Sequence, residues 1–319
     1  MTFTAAFFVT AALLAIVQLI VRSPMLLADR FFPTFGWLEI LALALYAGWI
    51  TEKMLDPKQT AKWRLRIWML FSIVFFSQLI IGVLGVERLL MTGKLHLPVP
   101  AMIVAGPLYR AQGFFMPILF VVTLLFIGPA WCSHLCYVGA WDNFAANIQK
   151  RVGSLPNWHH AMRMGILALV VLAALTLRLT GVGWLTATLL GASFGILGVG
   201  IMVTLSRKTG VMVHCVSYCP IGLLANWIGK LNPFRIRIQN GCNECGFCTR
   251  VCRYDALRTA DIKKRKVGLT CTLCGDCIRS CHGGWLQYRF LKMEPDSARR
   301  MFIVIAVSLH AVFLGLARI

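Results

Sequence analysis

Cys242, Cys245, Cys248 and Cys252 form one C-x2-C-x2-C-x3-C run, and Cys271, Cys274, Cys277 and Cys281 form a second. Three thiolates at three-residue intervals wrap a tight loop around one face of an iron–sulfur cube. A fourth thiolate from elsewhere closes the opposite corner. In ferredoxins with two 4Fe–4S clusters, the fourth cysteine of each run serves the other cluster. The spacing therefore predicts one cluster on Cys242, Cys245, Cys248 and Cys281, and a second on Cys271, Cys274, Cys277 and Cys252. The chemistry is one-electron transfer. Paired C-x2-C motifs also bind zinc, but a four-cysteine zinc site is built from two pairs. Here the pattern is two triplets, each with an outlying fourth thiol.

The other four cysteines are Cys132 with Cys136 and Cys215 with Cys219, both C-x3-C. Each pair stands at the end of an apolar run, and each is followed three residues later by a glycine, Gly139 and Gly222. A spacing of four puts both thiols on one face of a helical segment. Two such faces supply the ligand count of a third iron–sulfur centre. The plainer reading is free cysteines packed at helix ends, which cysteine does readily. His134 and His214 lie beside these pairs and are read as hydrogen-bonding residues rather than ligands. Haem is rejected because only His310 lies well inside an apolar span.

The elements that must hold these thiols are mostly membrane helices. The 319 residues are 58% hydrophobic and 14% charged, with a mean hydropathy of +0.73. Soluble domains are about 45–50% apolar and about 25% charged. Near-membrane-length runs are Phe3–Val21, Phe35–Ile50, Ile67–Val86, Phe114–Trp131, Met164–Leu179, Gly183–Leu205 and Met301–Ile319. The first is read as a membrane helix rather than a cleaved leader, since no basic segment precedes it. The expected fold class is an α-helical multi-pass membrane protein of six to seven spans carrying a small α+β two-cluster ferredoxin insert. Residues 1–230 form the helical domain with the C-x3-C pairs, 231–298 the ferredoxin domain, and 299–319 a last span.

The net charge of +20 invites nucleic acid as a partner, but its distribution argues otherwise. Most of the 32 Lys and Arg fall on one side of the hydropathy topology, as the positive-inside rule requires. Lys53, Lys58, Lys62, Arg64 and Arg66 make the segment after the second run cytoplasmic, and the ferredoxin insert follows on the same side. Reduced thiolates demand a reducing compartment, which is the same side again. The predicted location is a prokaryotic cytoplasmic membrane, with lipid and redox proteins as partners and no nucleic acid. The Lys263–Lys266 run reads as a solvated hairpin able to dock an acidic partner. Leu95–Arg110, apolar and proline-rich, reads as an ordinary loop or as a re-entrant segment buried against the bundle. Gly191 and Gly195 form a G-x3-G cue for close helix packing. Gln78 and Glu39 are the polar groups at membrane depth, read first as helix–helix hydrogen bonds and second as donors for a quinone.

With these motifs in place, the chain resembles the ferredoxin-type membrane proteins of the NapH, MauN and NosR group. The resemblance spans about Phe114 to Gly283. It rests on Trp-Cys-Ser-His-Leu-Cys at Trp131–Cys136, His-Cys-Val-Ser-Tyr-Cys-Pro at His214–Pro220, and the two ferredoxin runs. It departs from the usual Cys-Pro endings at Tyr137, Arg253 and His282. A missing proline leaves an amide donor, and Arg253 adds positive charge. Both changes are expected to raise a cluster potential. The resemblance implies a membrane electron-transfer protein that passes electrons between a membrane quinol or periplasmic partner and a cytoplasmic partner, with no acid–base catalyst. It also reaches the CcoG type, which implies the alternative of a metal reductase or assembly factor. A structural anchor for a soluble dehydrogenase is the third reading.

Overall fold

The computed structural model describes residues 1–21, 24–90 and 97–316. In chain order its helices are α1 (Thr2–Ile20), α2 (Leu27–Phe31), α3 (Gly36–Leu55), α4 (Thr60–Val83), α5 (Met102–Arg110), α6 (Phe115–Ile127), α7 (Trp131–His134), α8 (Tyr137–Asn147), α9 (His159–Leu179), α10 (Trp184–Ile201) and α11 (Arg207–Thr209). After them come α12 (Pro220–Ile228), α13 (Phe247–Val251), α14 (Thr259–Lys263), α15 (Asp276–Ser280) and α16 (Pro295–Gly315). Strands β1 (Phe234–Ile238) and β2 (Leu286–Phe290) form the one sheet among the described residues.

Among the described residues six helical segments are long and apolar enough to cross a membrane: Thr2–Ile20, Thr60–Val83, Phe115–His134, His159–Leu179, Trp184–Thr209 and Pro295–Gly315. Helix α3 has the length but carries Glu39, Glu52 and Lys53, which dilute its apolar stretch. That is why a count of six to seven was the limit of what hydropathy could say. The last three residues of the expected final span lie outside the described residues, as do Leu95 and His96 of the apolar loop.

The described chain divides into two compact units. The first comprises Met1–His96, His134–Tyr137 and Met293–Ile319. Here α1, α3 and α16 pack together around Leu14, Leu26, Ile40 and Val312. Glu39 accepts the Ala28 N–H at 2.8 Å, and Asp29 accepts that of Gly36 at 2.6 Å. Both carboxylates therefore tie the turn before α3. Gln78 is buried, and its Oε1 has no hydrogen-bond partner among the described residues.

The second unit comprises Leu97–Ser133 and Val138–Lys292. The apolar loop of the sequence is here the helix α5, packed on α9. Ala101, Ala105, Val170 and Ala174 form that contact's core. The Tyr109 hydroxyl donates to the Val182 carbonyl at 2.7 Å. The G-x3-G cue has its explanation here too. A Cβ on Gly191 would lie 3.1 Å from Leu97 and Met102 side-chain atoms, and one on Gly195 would lie 2.6 Å from Val99. The two glycines seat the segment leading into α5.

The same unit holds both ferredoxin runs. Strands β1 and β2 pair antiparallel, with Phe234 opposite Phe290 and Ile238 opposite Leu286. Phe234, Ile236 and Ile238 are buried and alternate with more accessible residues, as a one-faced strand requires. Because β1 precedes the first run and β2 follows the second, the sheet draws the two ends of the cysteine-rich segment together.

Candidate metal centres

The two ferredoxin runs repeat one local structure. In each, the residue before the second cysteine and the glycine after it have positive φ: Glu244 (58°) and Gly246 (75°), then Leu273 (55°) and Gly275 (81°). Successive turns of this kind aim backbone N–H groups into a common hollow, the geometry that receives anionic groups. A five-residue helix follows, α13 or α15, carrying Cys248 or Cys277. The fourth cysteine, Cys252 or Cys281, is the first residue past that helix. Helices α13 and α15 pack on each other, and each fourth cysteine stands beside cysteines of the opposite run.

The first crossing is visible as a hollow. Cys242, Cys245, Cys248 and Cys281 line a single cavity of about 170 Å³, together with Phe247, Trp285 and others. The second is visible in which thiols influence one another. Cys277 feels the charge of Cys274, Cys271 and Cys252. Each outlying sulfur also accepts a backbone N–H four residues on, Cys252 from Ala256 and Cys281 from Trp285, both at 3.3 Å. Such bonds favour the thiolate and tune a cluster. Burial pushes the Cys252 and Cys271 thiols up to about 12 and that of Cys277 well above its usual range. Without a metal these thiols hold their protons, so loading them releases protons. Among the described residues no three His, Cys, Asp or Glu side chains close on a single ion's position. A cube, by contrast, holds its four thiolates apart.

The turn glycines give a graded test. A Cβ at Gly246 meets nothing within 4 Å, whereas one at Gly275 would lie 2.6 Å from the Tyr288 hydroxyl. That hydroxyl donates to the Leu273 carbonyl at 2.7 Å. Gly246→Ala should cost only the left-handed backbone penalty, about 1–2 kcal/mol. Gly275→Ala should cost that plus about 1 kcal/mol for the displaced hydrogen bond. Thermal bleaching of cluster absorbance should rank wild type, then G246A, then G275A. Equal midpoints for the two variants would contradict the steric difference.

The C-x3-C pairs are built differently. Cys132 is in α7, and Cys136 is the residue just before α8. Cys215 lies in a π-helical turn, His214–Tyr218, and Cys219 is the N-cap of α12 with Pro220 at its first position. Each second cysteine thus precedes a helix, as the internal repeat implies. Cys132, Cys136 and Cys219 are buried and Cys215 is half-buried. The Cys219 sulfur accepts the N–H groups of Ile221 and Gly222, while burial raises its thiol above the usual range. A Cβ on Gly222 would lie 2.6 Å from the Cys215 carbonyl oxygen, so only glycine lets α12 close against the π turn. Cys136 is held by the Trp68 indole N–H, which donates to its carbonyl at 2.8 Å. Tyr137, standing where a proline is usual, stacks on Phe75 at 3.8 Å, and its carbonyl accepts the Ser72 hydroxyl. His134 meets Phe302 edge-on. The His214 ring packs near Tyr218 and fills the space that Gly198 leaves open.

The second ferredoxin quartet and the C-x3-C segments are bonded directly. The Ser133 hydroxyl, next to Cys132, donates to the Thr272 carbonyl, next to Cys271, at 2.9 Å. The Met212 N–H donates to the Arg253 carbonyl, next to Cys252, at 2.9 Å. Arg253 also turns its guanidinium onto the carbonyls of Ala146, Gln149 and Gly210, at 2.8, 3.1 and 2.8 Å. Its own amide donates to Val251. The residue that replaces the expected proline therefore ties the insert to α8 and the turn after α11, and the sulfur-bound amides come from elsewhere. Arg253→Ala should loosen this join by about 2 kcal/mol, the scale of one charge-assisted bond. Chelator-driven iron loss from the Cys252-containing quartet should then outpace loss from the other. Parallel loss from both would show that Arg253 is not specific to that side.

Two buried charges near the pairs escaped the reading of spacing. Asp142 is fully buried and accepts the Cys215 N–H at 2.9 Å. Burial lifts its carboxyl to about 6, opposed by hydrogen bonds from Ser206 and Cys215. Arg163 is the other. A charged residue inside or beside an apolar run is the only sequence signal either one offered.

A family model described as "4Fe-4S binding domain" matches residues 112–154 and 189–239. Those segments contain the two C-x3-C pairs. The chain is 24% identical over 259 residues, 74% of its length and 69% of the relative's, to a protein named "Putative electron transport protein YccM" from Escherichia coli (strain K12). No solved structure matches. The match and the relative, with six helices of membrane-crossing length and composition among the described residues, agree with the resemblance to membrane-bound ferredoxin-type 4Fe–4S proteins read from the motifs.

Proposed function

We propose that the chain carries electrons across the surface of a prokaryotic cytoplasmic membrane, between a membrane quinol or periplasmic partner and a cytoplasmic partner. Three tetrathiolate sites form the path. The outermost is Cys242, Cys245, Cys248 and Cys281; the middle one is Cys271, Cys274, Cys277 and Cys252. The innermost is Cys132, Cys136, Cys215 and Cys219, where a 4Fe–4S family model matches. Each site would hold a 4Fe–4S cluster, which supplies one-electron transfer when bound.

The observation that carries this reading is the pair of hydrogen bonds between the middle quartet's neighbours and the C-x3-C segments, Ser133 hydroxyl to Thr272 carbonyl and Met212 N–H to Arg253 carbonyl. Ser133 adjoins Cys132 and Met212 lies three residues before Cys215, while Thr272 and Arg253 adjoin Cys271 and Cys252. The outermost quartet includes an exposed cysteine, Cys245, and its cavity is rimmed by part-exposed Phe247 and Trp285. Arg265 pairs with Glu244 beside Cys245 at 3.4 Å, while Lys263, Lys264 and Lys266 stay exposed. An acidic protein fits that edge. The order of sites thus runs from a buried end at the helices to an open, basic end.

The residues 231–298 act as the ferredoxin insert on the cytoplasmic side, and a reporter fused after Lys266 should work only as a cytoplasmic reporter. Periplasmic activity would overturn the assigned direction. The function itself is tested by adding a quinol to purified protein under anaerobic conditions. Reduction of the clusters, seen as loss of their visible absorbance, is expected. Reduction by dithionite but by no quinol would leave only a periplasmic donor.

A further inference from the structure

Arg163, in the first turns of α9, is 1% exposed. None of its Nε, Nη1 and Nη2 atoms has a hydrogen-bond partner among the described residues. A buried, unpaired guanidinium costs several kcal/mol, and arginine cannot escape that cost by losing its proton. Something negative must therefore face it. The groups whose charge acts on it are the thiols of Cys132, Cys219 and Cys215. Its Nη2 lies 3.7 Å from where a Gly222 Cβ would stand, the same point that crowds the Cys215 carbonyl. Asp142, the buried acid of α8, gives its Oδ2 to the Cys215 N–H and is not among the groups whose charge acts on Arg163. On its own helix its neighbours are the imidazoles of His159 and His160, which offer no negative charge. His159 already bonds the Pro156 carbonyl.

We propose that Arg163 is the charge partner of the innermost iron–sulfur cluster, donating to its thiolate ligands and raising its reduction potential. This rests on the reading of the C-x3-C cysteines as a cluster site. A cube ligated by four thiolates is net negative and gains one further negative charge when it accepts an electron. A fixed cation that cannot deprotonate stabilises the reduced form more than the oxidised one. In a water-poor setting that difference is large. Five rigid donors suit several sulfur acceptors at once. Arg163 is thus a tuning and positioning residue, and the ligands remain the cysteines.

The test compares wild type, Arg163→Gln and Arg163→Lys, each purified anaerobically. Iron and sulfide are counted, and reduction is followed by EPR at controlled potential. In Arg163→Gln the innermost centre should show at least a tenfold weaker reduction equilibrium, a downward shift of 59 mV or more for one electron. The two ferredoxin centres should not move, and Arg163→Lys should shift by less than half as much. An innermost centre at unchanged potential in Arg163→Gln, or equal shifts in all three centres, would overturn the proposal. If Arg163→Gln loses that centre while keeping the other two, the lysine variant decides. Retention there supports the charge role, and loss there contradicts it. A wild type with only two clusters' worth of iron fails the underlying cluster reading instead, and the proposal falls with it.

Discussion

Cys277→Ser is expected to remove one cluster, about four irons, from a protein that still inserts in the membrane. Cys277 sits on α15 and is 6% exposed, among the thiols of Cys274, Cys271 and Cys252. Serine keeps the volume of the site but replaces a soft thiolate with a hard hydroxyl that iron–sulfur chemistry does not favour. The lost signal should be that of the middle site alone. Cys242, Cys245, Cys248 and Cys281 share a different cavity and should keep theirs. Membrane insertion should be unaffected, because α15 is separate from the six apolar helices. Full iron in the variant would refute Cys277 as a cluster ligand. A protein absent from the membrane would refute the independence of the modules.

The double variant Cys132→Ser, Cys215→Ser is expected to lose about four irons and one EPR centre, with both ferredoxin signals intact. One thiol is removed from each C-x3-C pair, so neither pair can hold a cluster with its partner's help. The Cys215 N–H to Asp142 bond and the Ser133 to Thr272 bond involve neighbouring groups that the substitutions leave in place. The fold around the site is therefore expected to persist. Unchanged iron and unchanged EPR would leave the four cysteines as packing residues.

Much of the site was legible because cluster ligation imposes fixed spacing. C-x2-C-x2-C-x3-C singles out candidate ligands and suggests a crossed assignment, and the structure lines one hollow with Cys242, Cys245, Cys248 and Cys281. The structure repeats the local turn in both runs, down to the positive φ of Gly246 and Gly275. The membrane helices were legible from hydropathy, with α3 the ambiguous one because three charges sit within its twenty residues. What spacing could not carry is contact between distant segments. The G-x3-G cue named a close approach but not its occupant, which is the segment Leu97–Met102. Tyr137 read as a departure from a proline, and only the stack on Phe75 gives the ring a purpose. Arg253 read as a charge for the cluster, yet its guanidinium is spent on three backbone carbonyls. Asp142 bonds Cys215, far along the chain, and Arg163 is a single buried charge; no local pattern marks such residues.

Iron and acid-labile sulfide counting, joined to an EPR-monitored redox titration of the purified wild-type protein, tests the three-site path most directly. The expected result is about twelve irons, four for each 4Fe–4S cluster, with matching sulfide and three reducible centres. Zinc in place of iron, or iron without any centre that reduces, would contradict an electron-transfer role for these twelve cysteines.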